Sequence, residues 1–475
     1  MTFAQAIDNQ LTVTENGMVA RVATANAVID LFYGATRGVG IVPKFVAAYV
    51  QDSELTLRVV QWIRDARGGS GERQLVRDIL LHMEQYYPQD AMRLMTKLPE
   101  LGRWDDLLVV MTPELKQVAY TMISDALKSG NGLCAKWMPR QGPLALELRV
   151  FMGLSPKAYR KMLVGLTKVV ESQMCAKDWD NINFSHVPSV AHARYKKAFG
   201  RNTAKYSEYV QSLIKGEDGV KISASAVYPY DVLKGHITPI DTWMRESEVS
   251  ADEIAVIEAQ WAALPDFIGD ASVLPLVDVS GSMTCKVGGR NSKSELSCMD
   301  VAVSLGLYFA DKNSGVFKDC FLTFSAQPEL LRLKGTITEK IAQMTRSDWG
   351  MNTNLNAAME LILRTAVNAG VGQSEMPGTL VILSDMNFDQ SVSVSESAMQ
   401  MIARQYEEAG YQVPRIVFWN LNHSGHAPAK FDESGVALVS GFSPAIASAV
   451  LSGDSEQFTP EFVMRKAVMI PRYDI

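Results

Sequence analysis

The chain changes texture once, near residue 265, and that change limits its folds more than any other feature. Before it, apolar residues recur with a helical period in stretches such as 46–63, 75–86, 118–127 and 159–172. Short breaks separate them: Gly68-Gly69-Ser70-Gly71, Leu98-Pro99-Glu100, Ser129-Gly130-Asn131-Gly132 and Arg140-Gln141-Gly142-Pro143. Amphipathic helices joined by short turns over this length predict stacked helical pairs, an α-solenoid over residues 1–265. No strict sequence period accompanies them. From residue 271 strand-like and helix-like stretches alternate. Strands are expected at 272–277, 320–324, 329–333, 379–383, 415–419 and 436–439, and helices at 296–312, 354–368, 396–409 and 444–451. Alternation of this kind predicts a mostly parallel sheet covered by helices, a doubly wound α/β domain over residues 271–475. The tail contains Ala467-Val468-Met469-Ile470, which reads either as one more strand or as a segment packed back on the helical part.

A chain of 475 residues is too long for one core, and two or three domains are expected. With 47% hydrophobic and 21% charged residues it has the composition of a globular protein. No apolar run approaches the roughly 18–20 residues that span a membrane. The segment Met1-Thr2-Phe3-Ala4-Gln5-Ala6-Ile7-Asp8 lacks the basic start and apolar middle of a signal peptide. The five cysteines are scattered without a C-x-x-C spacing, which argues against a zinc site or a disulfide framework. A reducing compartment, the cytoplasm, is the expectation.

The net charge of −6 hides a local asymmetry. Between Lys136 and Arg201 stand twelve basic residues, among them Lys136, Arg140, Arg160, Lys161, Lys177, Arg194, Lys196, Lys197 and Arg201. Only Glu147, Glu171, Asp178 and Asp180 oppose them, and residues 241–270 that follow are acidic. Segregation of this kind directs a polyanion to one surface, or else marks a solvated helical face.

The sharpest local signal lies where the second region begins. The apolar run Val273-Leu274-Pro275-Leu276-Val277 leads into Asp278-Val279-Ser280-Gly281-Ser282. A carboxylate and two hydroxyls at alternate positions leave a strand end together, and these are hard oxygen donors of the kind Mg²⁺ selects. Thr353 stands just before an expected helix, and Asp385 ends the apolar strand that follows it. The order and placement of Asp278, Ser280, Ser282, Thr353 and Asp385 resemble the metal-ion-dependent adhesion site of von Willebrand factor A-type domains. That resemblance implies bound Mg²⁺, with Mn²⁺ or Ca²⁺ as alternatives, and a coordination position left for an acidic group of a partner. A long polar loop, 284–295, adjoins the motif.

The helical region carries its own signatures: the run from Arg64-Asp65-Ala66-Arg67 through Gly71-Glu72-Arg73, Gly102-Arg103-Trp104-Asp105-Asp106-Leu107, Lys136-Trp137-Met138-Pro139-Arg140, the stretch from Trp179 to Ser189, and Tyr228-Pro229-Tyr230-Asp231. Followed by an A-type motif, they resemble the Ro autoantigen, or TROVE-module, family. The resemblance covers roughly residues 10–470. It implies a ring of HEAT-like helical repeats that binds single-stranded RNA ends or structured small RNA, with the A-type domain behind it. On this reading the basic residues above contact phosphates, and Trp137, Tyr159, Trp179, Phe184 and Tyr195 offer stacking faces. Arg67, Arg73 and Arg103, beside glycine-rich turns, are further candidates for a polyanion. The competing reading is a protein-interaction or particle-assembly scaffold that grips an acidic partner residue through the metal.

Catalysis finds little support. There is no G-x-x-x-x-G-K-[ST] phosphate loop and no G-x-S-x-G elbow. His423-Ser424-Gly425-His426 has the wrong spacing for an H-E-x-x-H metal site. A non-enzymatic role is expected.

Overall fold

The computed structural model describes residues 11–14, 16–17, 19–224, 226–234, 251–287, 296–324, 327–346, 353–388, 398–422, 426–451 and 458–475. Helices fill residues 27–234, and a mixed, largely parallel sheet with its own helices follows. The first expected helical stretch is two helices, Val42–Gln51 and Ser53–Arg64. Asp52 separates them because its extended backbone breaks the first while its carboxylate accepts from the Leu55 N–H at 3.0 Å and caps the second. The break expected at Leu98-Pro99-Glu100 is absent: Pro88–Leu101 is one helix with Pro99 in its last turn. A proline there removes one backbone bond, and burial of Leu94, Met95, Leu98 and Leu101 outweighs that loss.

Two strands, β1 (Leu11–Val13) and β2 (Val19–Arg21), form an antiparallel pair near the start. The main sheet contains β3 (Val273–Asp278), β4 (Cys320–Phe324), β5 (Leu330–Arg332), β6 (Thr379–Ser384), β7 (Arg415–Asn420) and β8 (Val436–Ser440). Their order is β5-β4-β3-β6-β7-β8, parallel except for the edge strand β5. A proline in a central strand is unusual because it cannot donate to the ladder. Pro275 is accommodated because β4 pairs with β3 only from Leu276 onward. The strands read as continuous apolar runs because helices bury both faces.

The tail is not a strand. It forms a helix, Pro460–Val468, and a 3₁₀ turn, Pro471–Tyr473, that return to the helical part. Arg472 pairs with the buried Asp65 at 2.5 Å, the Gln61 amide donates to the Tyr473 carbonyl at 2.8 Å, and Arg58 meets Asp474 at 2.6 Å. Burial works against the Asp65 carboxylate, but Arg472, the Arg67 backbone N–H and the Tyr473 hydroxyl together hold it below the usual range. The end of the helical run also meets an early turn: the Tyr228 hydroxyl donates to the Ala66 carbonyl, just after the helix Ser53–Arg64, at 3.3 Å. One apolar core runs from Val28 through the helices into β3, β7 and β8 and on to Tyr473. A separate small core, with Phe184, Phe199, Tyr206, Val210 and Val256, holds the helices Ser189–Asn202, Ala204–Ile214 and Ala251–Ala262 together.

Candidate functional site

The chain leaves β3 toward β4 and β5, then crosses back to β6 on the other side of β3. The carboxyl ends of β3 and β6 therefore flank the crevice where sheet topology reverses, the usual ligand position in such sheets. Val277 lies opposite Leu383, which sets Asp278 level with Ser384 and next to Asp385. The Ser384 hydroxyl donates to Asp278 Oδ2 at 2.5 Å, and the Ser280 N–H donates to Asp278 Oδ1 at 2.9 Å. The Ser280 and Ser282 hydroxyls stand 3.0 Å apart. Ser282 is exposed while Asp278, Ser280, Thr353 and Asp385 are buried.

Thr353 precedes the helix Leu355–Ala369 and donates its hydroxyl to the Asn387 carbonyl at 2.7 Å, two residues beyond Asp385. All five expected oxygen donors thus come to one strand-end crevice from three separate segments. Met386, just after Asp385, holds a left-handed backbone at φ 68°. A non-glycine residue in that region costs energy. The Met386 N–H donating to Ser384 Oγ at 2.9 Å helps keep the turn in place. Burial, then the neighbouring charge of Asp385, push the Asp278 carboxyl up to about 6.

Two carboxylates forced together beside two serine hydroxyls and a threonine form a donor set that a hard divalent cation fits, since its charge would relieve the repulsion. Among the described residues no three His, Cys, Asp or Glu side chains gather as metal ligands, so the set is hydroxyl-rich. Much of the neighbouring loop (288–295), like Trp349–Asn352 and His423–Gly425, lies outside the described residues.

Sequence reasoning missed several residues here. Ser384 was visible only as a neighbour of Asp385. Asn16, between β1 and β2, donates to Thr353 Oγ1 at 3.3 Å and to the Asn387 carbonyl at 2.8 Å. No local pattern connects it to residues more than 330 positions away. Cys285 and Cys298, at the two ends of the polar loop, bring their sulfurs to 3.5 Å, a proximity that no spacing rule signals.

The basic residues are spread out. Lys136 is half-buried beside Trp137 in the helix Gly132–Trp137, and Arg140 is exposed just beyond it. Arg160 and Lys161 are exposed on the helix Pro156–Leu166, and Lys177 is exposed in a loop. Arg194, Lys196, Lys197 and Arg201 share Ser189–Asn202, where Lys196 is buried and Lys197 pairs with Glu253 at 3.5 Å. Tyr159 and Phe184 are core residues and present no stacking face. Arg67 donates to the Glu100 carbonyl, Arg73 lies 3.7 Å from Asp105, and Arg103 sits 4.1 Å over the Trp137 ring. These three arginines already serve internal contacts.

Residues 272–468 match the model of a domain of unknown function (DUF7788), and residues 153–274 match that of another (DUF2828). The two matches meet where β3 begins. An uncharacterized protein of Acanthamoeba polyphaga mimivirus is 29% identical, the match covering 95% of this chain and 86% of that protein. Among solved structures, the crystal structure of the Deinococcus radiodurans RO (RSR) protein aligns with a TM-score of 0.46 and 14% identity over 94% of this chain and 100% of that one.

Proposed function

We propose that this chain is a non-enzymatic RNA-binding scaffold whose sheet domain, acting as an A-type domain, grips an acidic partner group through Mg²⁺. The observation that carries the docking half is the convergence of Asp278, Ser280, Ser282, Thr353 and Asp385 on one crevice. With only two carboxylates, a cation held there would stay electrophilic and accept a carboxylate or phosphate oxygen. Asp278 and Asp385 would supply charge, the three hydroxyls neutral ligands, and Ser384 and Asn16 the orientation of Asp278 and Thr353. The RNA half is supported by the exposed cations Arg140, Arg160, Lys161, Lys177, Arg194, Lys197 and Arg201, side chains suited to phosphate contacts. A second reading, a protein-assembly scaffold, is favoured by the exposed apolar side chains Leu133, Leu146, Val150 and Val164 on neighbouring helices.

Calorimetric titration of Mg²⁺, with pull-downs in buffer and in EDTA, tests both halves. Wild type is expected to bind Mg²⁺ and Asp278→Ala to lose it. RNA recovered with and without chelator, and lost steeply with added salt, supports the RNA half. Partner protein recovered only with Mg²⁺ supports the docking half. Unchanged Mg²⁺ binding in Asp278→Ala overturns the site, and RNA recovery that ignores salt overturns the phosphate reading.

A further inference from the structure

A cavity of about 360 Å³ opens between the helices Ser189–Asn202, Ala204–Ile214 and Ala251–Ala262. Its wall includes Lys196, Lys197, Arg201, Ser207, Asp252 and Glu253. The volume stands near the lower end of the roughly 300–1,000 Å³ of small-molecule sites, room for one nucleotide-sized group.

Its charges are unevenly committed. Asp252 accepts from the Ser207 hydroxyl at 2.7 Å and from the Gln211 amide at 3.1 Å. Glu253 pairs with Lys197 at 3.5 Å. Lys196, only 8% exposed, has neither a hydrogen bond nor an ion pair for its ammonium among the described residues, and the exposed Arg201 guanidinium likewise has none there. Burial holds the Lys196 ammonium below its ordinary range, with Glu253 opposing that trend. A buried ammonium whose acidic neighbour, Glu253, also pairs with Lys197 is only partly compensated. Here it lines a cavity, and Arg201, five residues further along the same helix, lines it too.

We propose that this cavity is a phosphate-monoester site, in which Lys196 and Arg201 hold the dianionic phosphate of an RNA end or of a free nucleotide. The shared chemistry is the doubly charged terminal phosphate. An internal phosphodiester carries one charge and leaves one of the two cations unmatched. The RNA-end form rests on the RNA reading above, while the free-nucleotide form does not.

The test uses the full chain and three probes: one short single-stranded oligoribonucleotide with a phosphate at either end, the same strand with hydroxyl ends, and adenosine monophosphate. The phosphate-ended strand is expected to bind at least about tenfold tighter than the hydroxyl-ended one, the scale of a hydrogen bond to a charged group. Lys196→Gln and Arg201→Ala should each erase that preference, so that each variant binds the phosphate-ended and hydroxyl-ended strands equally. If Lys196→Gln fails to fold, Arg201→Ala, at an exposed position, carries the test. Binding of adenosine monophosphate that both variants lose assigns the site to free nucleotide, and it does so even if neither strand binds and the RNA reading falls. Equal binding of both strands with no binding of the mononucleotide overturns this site and leaves the RNA reading standing. No binding by any probe overturns both.

Discussion

Arg64 and Asp106 are 3% and 2% exposed, and their charged groups meet at 2.6 Å. Arg64 Nε also donates to Asp106 Oδ2 at 2.8 Å, and Arg77 Nε donates to Asp106 Oδ1 at 2.9 Å. Gly102 makes this possible: a Cβ there would lie 2.2 Å from Arg64 Cζ. Asp106→Ala would strand a buried guanidinium, and a loss of about 3–5 kcal/mol in urea-melt stability is expected. A loss below about 1 kcal/mol would show that water or another acid reaches Arg64. The sequence marks Arg64, Gly102 and Asp106 within distinctive stretches, but not as partners. The same holds for the five candidate oxygen donors: their residue types and their places beside strand ends or a helix start were legible, while Ser384 and Asn16 were not. Hydrogen bonds between distant segments have no local signature.

At the scale of elements, the helices Ser189–Asn202 and Ala204–Ile214 depend on a small core of their own. His192 lies inside it, with its ring near Phe199 and Tyr206 and its Nε2 3.3 Å from the Tyr206 hydroxyl. Burial, then the nearby Lys196 charge, lower its pKa from 6.5 to about 4. The folded state keeps His192 neutral, whereas the unfolded chain takes up a proton below about 6.5. Its contribution is therefore complete above that pH and is lost as pH falls toward 4, by roughly 3 kcal/mol at most. Hydrogen exchange of residues 189–214 should accelerate over this window in wild type and much less in His192→Phe. Equal acceleration in both would remove His192 as the cause. The elements themselves were largely legible, because periodicity follows from which face is buried. The failures came where a weak local signal was overridden. Pro99 did not end a helix, and the apolar tail 467–470 did not become a strand, because packing against the helical part satisfies it better.

Among the described residues, two apolar cores each take side chains from both regions. Phe32 packs on Trp62 in the helical part, and the Ser440 hydroxyl of β8 donates to the Phe32 carbonyl at 2.9 Å. Tyr33, from the helical region, is buried with Leu276, Leu380 and Phe418 of the sheet. Melting is expected to show one main calorimetric transition in which the helical part and the sheet unfold together. Two well-separated transitions, one assigned to each part, would mean the shared cores contribute little.

By itself the sequence determined the two textures, the parallel sheet, and the hydroxyl and carboxylate donors at strand ends, because each depends on short-range periodicity and residue chemistry. Only the tertiary structure decided that the tail and the first helices lock the two parts together, that Asn16 reaches Thr353, and that Lys196 is a buried cation lining a cavity instead of one charge on a solvated face. Those outcomes depend on which distant surfaces meet, and a chain's local pattern specifies what each surface needs without naming its partner.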